Sequence, residues 1–510
     1  MESPFSHRFN TNYVPSDEEI QFIQGDLVSH AQELTRIDEH IRELTTQRDQ
    51  IQAYVDSHKA LISHPRRIPP DIVREIFVAC LPSDRNAVMS AQEAPLLLCR
   101  ICSAWRTIAL LTPRLWASLH VPISYITGNE SRTPAASEWL QRSAACSISL
   151  SVGLSDMWHG TPSVSPLLRS LADFSARWRH IEFLHLPPEI VAQFAGIRPR
   201  ELESFKFTGS ISSLHALDMI QVPTLRVVSL HARKSGYLDD AVLKMPLVWN
   251  QLTHLTLQCR SEYNGFLVAN VVVILDRCAR LVSFRVSVRT TGSEDDFPPG
   301  PLSLPFLETL IMTEGSFQAQ SLGRLLEHLS IPHLRRFHAE SIMIRGSFSL
   351  GAITPASPLI EDLGDLYLPY LTAESVAETL HSLSSLTRLC VTDYDVWDAN
   401  PATPSSNASH LLHLLTPRRD TDAVVCPALR ELVIGRCRDL EQSTLDAFIR
   451  GRKDFSPDFR RLEFRNSSSG ILSEDQMRSY RSQGLDISIV NKKSRYKPPS
   501  PWTDLAEDDQ

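Results

Sequence analysis

A chain of 510 residues is longer than one compact core usually holds, so the sequence predicts either several domains or an extended array of repeats. Its formal net charge of -8 gives no electrostatic footprint for nucleic acid, and its composition is that of an ordinary soluble protein. The longest apolar run, 266–275, is too short to cross a bilayer, and the N-terminus lacks the apolar segment of a signal peptide. Nine scattered cysteines suit a reducing compartment. We therefore expect a protein of the cytoplasm and/or the nucleus, with no membrane or nucleic-acid partner.

A coiled-coil helix is predicted over residues 17–63, after a disordered stretch at 1–16. Apolar side chains there follow alternating steps of three and four residues, as in a heptad seam. They are Ile20, Ile23, Leu27, Leu34, Ile37, Ile41, Leu44, Ile51, Val55 and Ile62. His30, Arg48 and His58 occupy seam positions too, which predicts a weak or register-specifying coil. Such a coil either dimerises the protein or folds back on its neighbour, and both alternatives remain open.

Three short helices are predicted over residues 64–121. Paired prolines open the first helix, which carries Ile72, Ile76 and Cys80 on one stripe and Val73, Phe77 and Leu81 beside it. A second helix presents Leu98, Ile101, Trp105 and Ile108 on one face. Thr112 and Pro113 begin a third, short helix with Leu115 and Trp116. So small a block buries little core of its own, so its remaining apolar face is expected to lie against another chain.

A repeat follows from about residue 178 onward: an apolar residue, two variable ones, a second apolar, one variable and a third apolar. It occurs at Trp178/Ile181/Phe183, Leu202/Phe205/Phe207, Leu225/Val228/Leu230, Leu252/Leu255/Leu257, Leu281/Phe284/Val286, Leu307/Leu310/Met312, Leu334/Phe337/Ala339, Leu386/Leu389/Val391, Leu429/Leu432/Ile434 and Phe459/Leu462/Phe464, with a degenerate copy at Ile360/Leu363. Most spacings lie in or near the leucine-rich-repeat period of ~20–29 residues. One longer spacing contains an inserted loop and the short helix HLLHLL.

Helical patterns alternate with these strand signatures, at 268–281, 321–330, 374–386 and 443–452. Strand followed by helix is what each leucine-rich repeat requires, because stacked units bury a core that one unit cannot. The predicted fold class is therefore α/β. It comprises an N-terminal helical coil, a small three-helix block, and at 122–490 a leucine-rich-repeat-like solenoid with parallel strands on its concave face. Residues 491–510 are expected to be a disordered tail.

The segment at 64–121 resembles an F-box domain. The family's usual form is a Leu-Pro pair before an amphipathic helix, then V-C-K-x-W-R and a terminal L-W. Here IPPDIVREIF, LCRICSAWRTIA and PRLWASL stand in the same order, with Cys102, Trp105, Arg106 and Leu115/Trp116 matching. Ile68 replaces the leucine, Asp71 a glutamate, Ile101 the valine and Ser103 the lysine. Together with the coil and the loose repeats, the layout resembles the large F-box families of mushroom-forming fungi.

The resemblance implies docking on a Skp-type adaptor, and through it on a cullin of a ubiquitin ligase. The chain would then be a non-catalytic substrate receptor that holds an unknown protein target near activated ubiquitin. The residues implied to pack against or support the adaptor face are Ile68, Pro69, Ile72, Ile76, Ile101, Trp105, Ile108, Leu115 and Trp116. For Trp116, filling of the block's own core is a near-equal alternative. The alternative function is a non-catalytic interaction scaffold that takes no part in ubiquitination.

Ligand contacts of the array are expected at the variable strand positions, because these alternate with core positions. Candidate residues for binding a protein target are His254, Gln258, Arg285, Arg336, His338, Arg388, Arg461 and Glu463. Cys99 and Cys102 form a lone C-x-x-C inside a predicted helix without a second ligand pair, which favours packing over metal binding. No phosphate-binding, nucleophile-elbow or zincin motif occurs. No catalytic residue, metal or cofactor is therefore predicted.

Overall fold

The computed structural model describes residues 3–62, 64–123, 129–154, 165–232, 238–259, 265–289, 300–318, 325–345, 359–368, 373–393, 407–417, 424–437, 440–456, 458–467 and 472–490. The chain divides into two compact units, Met1–Ile76 and Phe77–Gln510. The second unit therefore holds most of the three-helix block together with the repeats. The predicted tail at 491–510 lies outside the described residues, and the domain boundaries of the sequence analysis stay predictions.

One long helix, Asp17–Leu61, dominates the first unit and confirms the predicted N-terminal helix. A capping box begins it: the Ser16 hydroxyl accepts from the Glu19 N–H, and the Glu19 carboxylate accepts from the Ser16 N–H. None of its residues is buried. Two further helices follow, His64–Arg67 and Pro70–Ala79.

The predicted second helix of the three-helix block is divided in two, Leu98–Ile101 and Ser103–Leu110. Cys102 has extended backbone angles between them, and its sulfur accepts the Trp105 N–H at 3.4 Å. A continuous helix was therefore the wrong prediction, because a thiol acts as the N-cap of the second piece. The third helix is a 3-10 turn, Pro113–Trp116, with the expected proline in its first turn.

Seventeen strands are present in the described part of the second unit. They are β1 Ser118–Ile123, β2 Ile148–Leu154, β3 Trp178–Leu184, β4 Ser204–Gly209, β5 Val227–Ala232, β6 His254–Cys259, β7 Phe266–Leu267, β8 Ser283–Arg289, β9 Leu302–Ser303, β10 Thr309–Gln318, β11 Leu329–Ser330, β12 Arg336–Arg345, β13 Asp362–Tyr367, β14 Arg388–Thr392, β15 Glu431–Gly435, β16 Arg461–Arg465 and β17 Asp486–Val490. All but β7, β9 and β11 follow one another along a single sheet in chain order. Every pairing in that sheet is parallel, as the α/β solenoid requires.

The repeat signature is confirmed by the strand register. Its middle apolar residue pairs with the same residue of the next repeat, from β3 to β16. The buried row contains Ile181, Phe205, Val228, Leu255, Phe284, Leu310, Phe337, Leu363, Leu389, Leu432 and Leu462. Arg388 of β14 is in register with Glu431 of β15, so the sheet continues across the longest spacing.

Described helices lie between many of the strands. They are Asn129–Arg142, Ser165–Ala172, Pro188–Val191, Leu238–Leu243, Val268–Asp276, Ala373–Ser382, Asn407–Leu415, Gln442–Phe455 and Glu474–Ser482. The predicted helical segment 321–330 is confirmed at 325–328, but its last two residues, Leu329 and Ser330, form strand β11 against β9. Residues 321–324 of that segment lie outside the described residues.

The sheet begins about sixty residues earlier than the repeat signature predicts, with β1 and β2. Its first edge, on β1, is covered by Asn86 and Ala87, which lie in the loop between helices Pro70–Ala79 and Leu98–Ile101. The Ala87 carbonyl accepts the His120 N–H at 2.7 Å, and the Asn86 side-chain oxygen accepts the hydroxyls of Ser118 and Ser149. Because an uncovered edge offers free N–H and C=O groups to other chains, this loop protects the start of the array.

Candidate functional site: an exposed apolar set and a charged strand face

Helix Pro70–Ala79 leaves part of its apolar surface in solvent. Ile72 and Ile76 are 53% and 44% exposed, whereas Val73 is buried. Ahead of the helix, Pro69 is exposed and Ile68 is half-buried. The two predicted stripes of this helix are therefore unequal: one is packed and the other is accessible.

Four further apolar side chains are exposed at 97–111 in the second unit. Leu97, Ile101, Leu110 and Leu111 form this exposed apolar set, with Ile101 at 54% and Leu111 at 68% exposure. Of these four, the sequence predicts only Ile101 as an adaptor contact, because Leu97, Leu110 and Leu111 lie outside the apolar face of the predicted helix. Single exposed apolar residues are common on protein surfaces, whereas these four lie within fifteen residues of the chain.

Trp105 and Ile108 lie half-buried beside this set. The Trp105 ring packs edge-on against Phe77, with 4.9 Å between ring centroids. Phe77 is fully buried and Trp105 is half-buried, so Trp105 extends the core of the block to its surface.

Leu115 and Trp116 are both fully buried, so direct contact with an adaptor needs correction, while the predicted supporting role stays a prediction. The Trp116 indole N–H donates to the Ala109 carbonyl at 2.9 Å, and its ring meets Trp139 edge-on at 4.9 Å. The Arg142 guanidinium lies 4.7 Å from its ring centre. Trp116 thus joins the helix Ser103–Leu110 to the first helix of the array, Asn129–Arg142.

On the sheet, variable strand positions line up in rows across neighbouring strands. One row contains His254, Ser283, Thr309, Arg336, Asp362, Arg388, Glu431, Arg461 and Asp486. Its last six members alternate in sign from β12 to β17, and we name them the charged ladder. Three predicted target-binding residues, Arg336, Arg388 and Arg461, belong to it.

Ion pairs connect successive rungs of the charged ladder. Asp362 lies 3.0 Å from Arg336 and 3.1 Å from Arg388, and Glu431 lies 3.6 Å from Arg388 and 3.8 Å from Arg461. Arg461 also lies 3.8 Å from Asp486. The three carboxylates were missed by the sequence analysis, although each stands at the same repeat position as the arginines. They neutralise the arginines, so this face offers alternating charge and not a basic patch.

Asp362 is the most strongly held member of the charged ladder. Burial opposes its ionisation, but the hydrogen bonds and charges of His338 and Arg388 outweigh burial and lower the pKa of Asp362 to about 2. His338 Nε2 lies 3.1 Å from Asp362 Oδ1. The Asp362 carboxylate is therefore ionised at neutral pH and holds the side chains of Arg336, His338 and Arg388 around it.

His338 and Glu463 are corrected as target-contact residues, because both are buried. Glu463 pairs with Arg461 and Arg465, which lower its pKa against the effect of burial. His338 therefore supports Asp362, and Glu463 supports Arg461 and Arg465, instead of contacting a target themselves. Of the other predicted contacts, His254, Arg336 and Arg461 are exposed, while Gln258, Arg285 and Arg388 are half-buried.

Gly364 makes room for the His338 ring, which leads to a prediction. A Cβ at Gly364 would lie 2.6 Å from ring atoms of His338. Gly364→Ala is therefore expected to displace His338 from Asp362 and to lower the free energy of unfolding by ~1–3 kcal/mol, as overpacking does. Urea unfolding followed by circular dichroism measures the change. Gly25→Ala is the control, because nothing lies within 4 Å of its added Cβ, and an equal loss in both variants would contradict the prediction.

The described residues offer no other obvious chemical site. They contain no group of three or more His, Cys, Asp or Glu side chains that could hold a metal ion. No described helix is long and apolar enough to span a membrane. Cys99 is half-buried, and burial raises the pKa of its thiol, while Cys102 serves as a helix cap.

Comparison with known proteins gives little beyond this geometry. No protein-family model and no curated protein sequence matches the chain. A crystal structure of a yeast Rad7 and Elc1 complex aligns over 93% of this chain and 98% of that chain, with 13% identity and a TM-score of 0.36. A protein from Bacteroides fragilis aligns over 72% and 73%, with 10% identity and a TM-score of 0.24. Scores this low indicate a loose likeness and carry no argument about function.

Proposed function

We propose that the chain is the substrate-recognition subunit of a Skp-cullin-F-box type ubiquitin ligase, in the cytoplasm and/or the nucleus. It would contribute no catalytic group of its own. The adaptor would contact the exposed apolar set and, separately, Ile72 and Ile76 of helix Pro70–Ala79. The exposed apolar set carries the proposal, since it lies within the segment that resembles an F-box.

Burial supports this assignment. Ala109, Leu115 and Trp116 of the same segment are completely buried, so the segment already has a packed core within the second unit. The accessible Leu97, Ile101, Leu110 and Leu111 are therefore surplus to that core. Their transfer from water to a protein surface would release roughly 25 cal/mol per Å² of apolar area, the usual driving force of association.

Attachment of the segment to the array gives the proposal a mechanism. The F-box-like segment contacts the first strands of the array through Asn86 and Ala87. It contacts the first helix of the array through Trp116. An adaptor on the segment would therefore hold the array in a fixed place, and a target bound there would have a high effective concentration near activated ubiquitin.

We propose the exposed part of the charged strand face as the target-binding surface. Arg336, Arg461 and His254 keep accessible side chains in one row. Their carboxylate neighbours would make binding selective for the pattern of charge on a protein target, because a like charge placed opposite a ladder member is repelled.

The decisive experiment is co-expression of the full chain with a Skp-type adaptor, followed by size-exclusion chromatography. We expect stoichiometric co-elution of the wild type. Ile101→Asp/Leu111→Asp should weaken the complex at least ~30-fold, because the loss of even one buried interface anchor costs about 2 kcal/mol or more. Phe306→Asp/Phe455→Asp is the matched control, since both phenylalanines are exposed in the same unit but outside the F-box-like segment.

Two outcomes would overturn the proposal. A folded wild type that elutes without the adaptor would show that the chain is not a receptor of this kind. An equal loss of adaptor affinity in both double variants would show that the exposed apolar set is not the adaptor site. Adding a cullin to the purified complex separates a ligase receptor from a scaffold that binds an adaptor for another purpose.

A further inference from the structure

The long helix Asp17–Leu61 presents its whole heptad seam to solvent. At 1.5 Å per residue its 45 residues extend over ~68 Å, and every seam residue is exposed or half-buried. The seam keeps strict steps of three and four from Ile20 to Ile62. A seam of this length without drift is typical of a helix that packs against a partner helix along its entire length.

Charge is unevenly distributed along this helix. Residues 17–39 contain seven acidic side chains and one arginine, whereas residues 40–62 contain three acidic and three basic ones. A parallel pair of identical helices would place the acidic halves side by side. An antiparallel pair would place each acidic half beside the neutral half of the other helix, which avoids that repulsion.

Arg48, in the seam itself, distinguishes the two orientations further. In a parallel pair Arg48 would face Arg48 of the second copy, with Gln47 beside it. Consider the antiparallel register in which Leu34 of one copy lies opposite Leu44 of the other. Arg48 then faces His30 of the second copy, and Asp26 and Glu33 of that copy lie within one turn of His30. Asp26 already lies 3.3 Å from His30. Arg48 lies 2.6 Å from Asp49 of its own helix in either orientation, but only the antiparallel register places acidic side chains of the second copy beside it.

We propose that this helix forms an antiparallel coiled coil with the same helix of a second copy of the chain, with Leu34 opposite Leu44. The first turn of one helix then lies beside the last turn of the other, which brings Asp17 near Lys59. The two chains leave the coil at opposite ends, ~65 Å apart by the helical rise. This proposal does not depend on adaptor binding.

Disulfide trapping in the full-length protein tests the orientation. Leu34→Cys and Leu44→Cys variants, carrying tags of different size, are oxidised separately and as a mixture, with the wild type as the background for its native cysteines. We expect a disulfide between the two introduced cysteines, identified by peptide mass spectrometry, in the mixture alone. A Leu34→Cys variant that links to itself would show a parallel pair and overturn the proposal, and so would a monomer by light scattering at micromolar concentration.

Charge reversal provides an independent test of the same register. Asp26→Lys/Glu33→Lys should weaken the antiparallel dimer at least ~10-fold, because lysines would flank Arg48 of the second copy. The same change would strengthen a parallel dimer, in which Glu33 faces Asp38. Glu18→Lys/Glu39→Lys makes the same net change on the outer face of the helix and should alter dimerisation little. The register would be contradicted if both double variants changed dimer affinity equally, or if Asp26→Lys/Glu33→Lys tightened the dimer.

Discussion

Replacement of Trp116 by alanine is expected to lower the free energy of unfolding of the second unit by ~3–5 kcal/mol, the range for a fully buried aromatic residue. The ring fills the space between helix Ser103–Leu110 and helix Asn129–Arg142, where it meets Trp139 and Arg142. Its removal leaves a cavity and takes one donor from the Ala109 carbonyl, which keeps the Thr112 N–H at 3.2 Å. Urea unfolding followed by far-ultraviolet circular dichroism measures the loss without depending on tryptophan fluorescence.

Two further substitutions separate the causes of this effect. Trp116→Phe keeps most of the apolar area but deletes the N–H donor, so it should show a smaller loss. Trp105→Ala should also cost less, since Trp105 is only half-buried. A Trp116→Ala variant as stable as wild type would show that Trp116 does not fix the F-box-like segment to the array. The proposed mechanism, which needs the array held in a fixed place, would then lack support.

The repeat array was predictable because its signal is periodic. In most repeats the signature places one apolar residue just before a strand and two on it, and the register aligns the middle one from repeat to repeat. The start of the array was missed because Trp116, Leu119 and Val121 fit the same signature but were assigned to the F-box-like segment. Trp116 belongs to both: it ends one motif and occupies the first apolar position of a repeat. Sequence alone could not decide between these roles.

The candidate sites were less predictable, because they depend on pairing between distant strands. The arginines of β12, β14 and β16 were found from alternation along each strand, but their carboxylate partners lie on other repeats. Arg452 shows the same limit: it is fully buried, donates to the carbonyls of Val425 and Cys426, and has its pKa lowered to about 10 by burial. Nothing local in the sequence distinguishes it from a surface arginine.

Asp362→Asn is the second substitution for which we expect a large effect, a loss of about 2–3 kcal/mol at pH 6. The side chain is 16% exposed and interacts with Arg336, Arg388 and His338. In the variant, Arg336 and His338 would lose this carboxylate, and Arg388 would keep the more distant Glu431 at 3.6 Å. Asp458→Asn is the control, because Asp458 forms only an exposed pair with Arg460 at 3.9 Å, and such pairs contribute ~0–1 kcal/mol.

The pH dependence tests the physical cause. The pKa of Asp362 falls from 3.8 to about 2 on folding, so its ionisation stabilises the protein above pH 4 and that stabilisation is lost as the pH falls toward 2. A shift of this size corresponds to roughly 2 kcal/mol, of which about half is lost by pH 3. The difference in unfolding free energy between wild type and Asp362→Asn should therefore shrink by about 1 kcal/mol between pH 6 and pH 3. A difference that stays constant would show that the variant acts through packing and that the charged ladder is not held by this carboxylate.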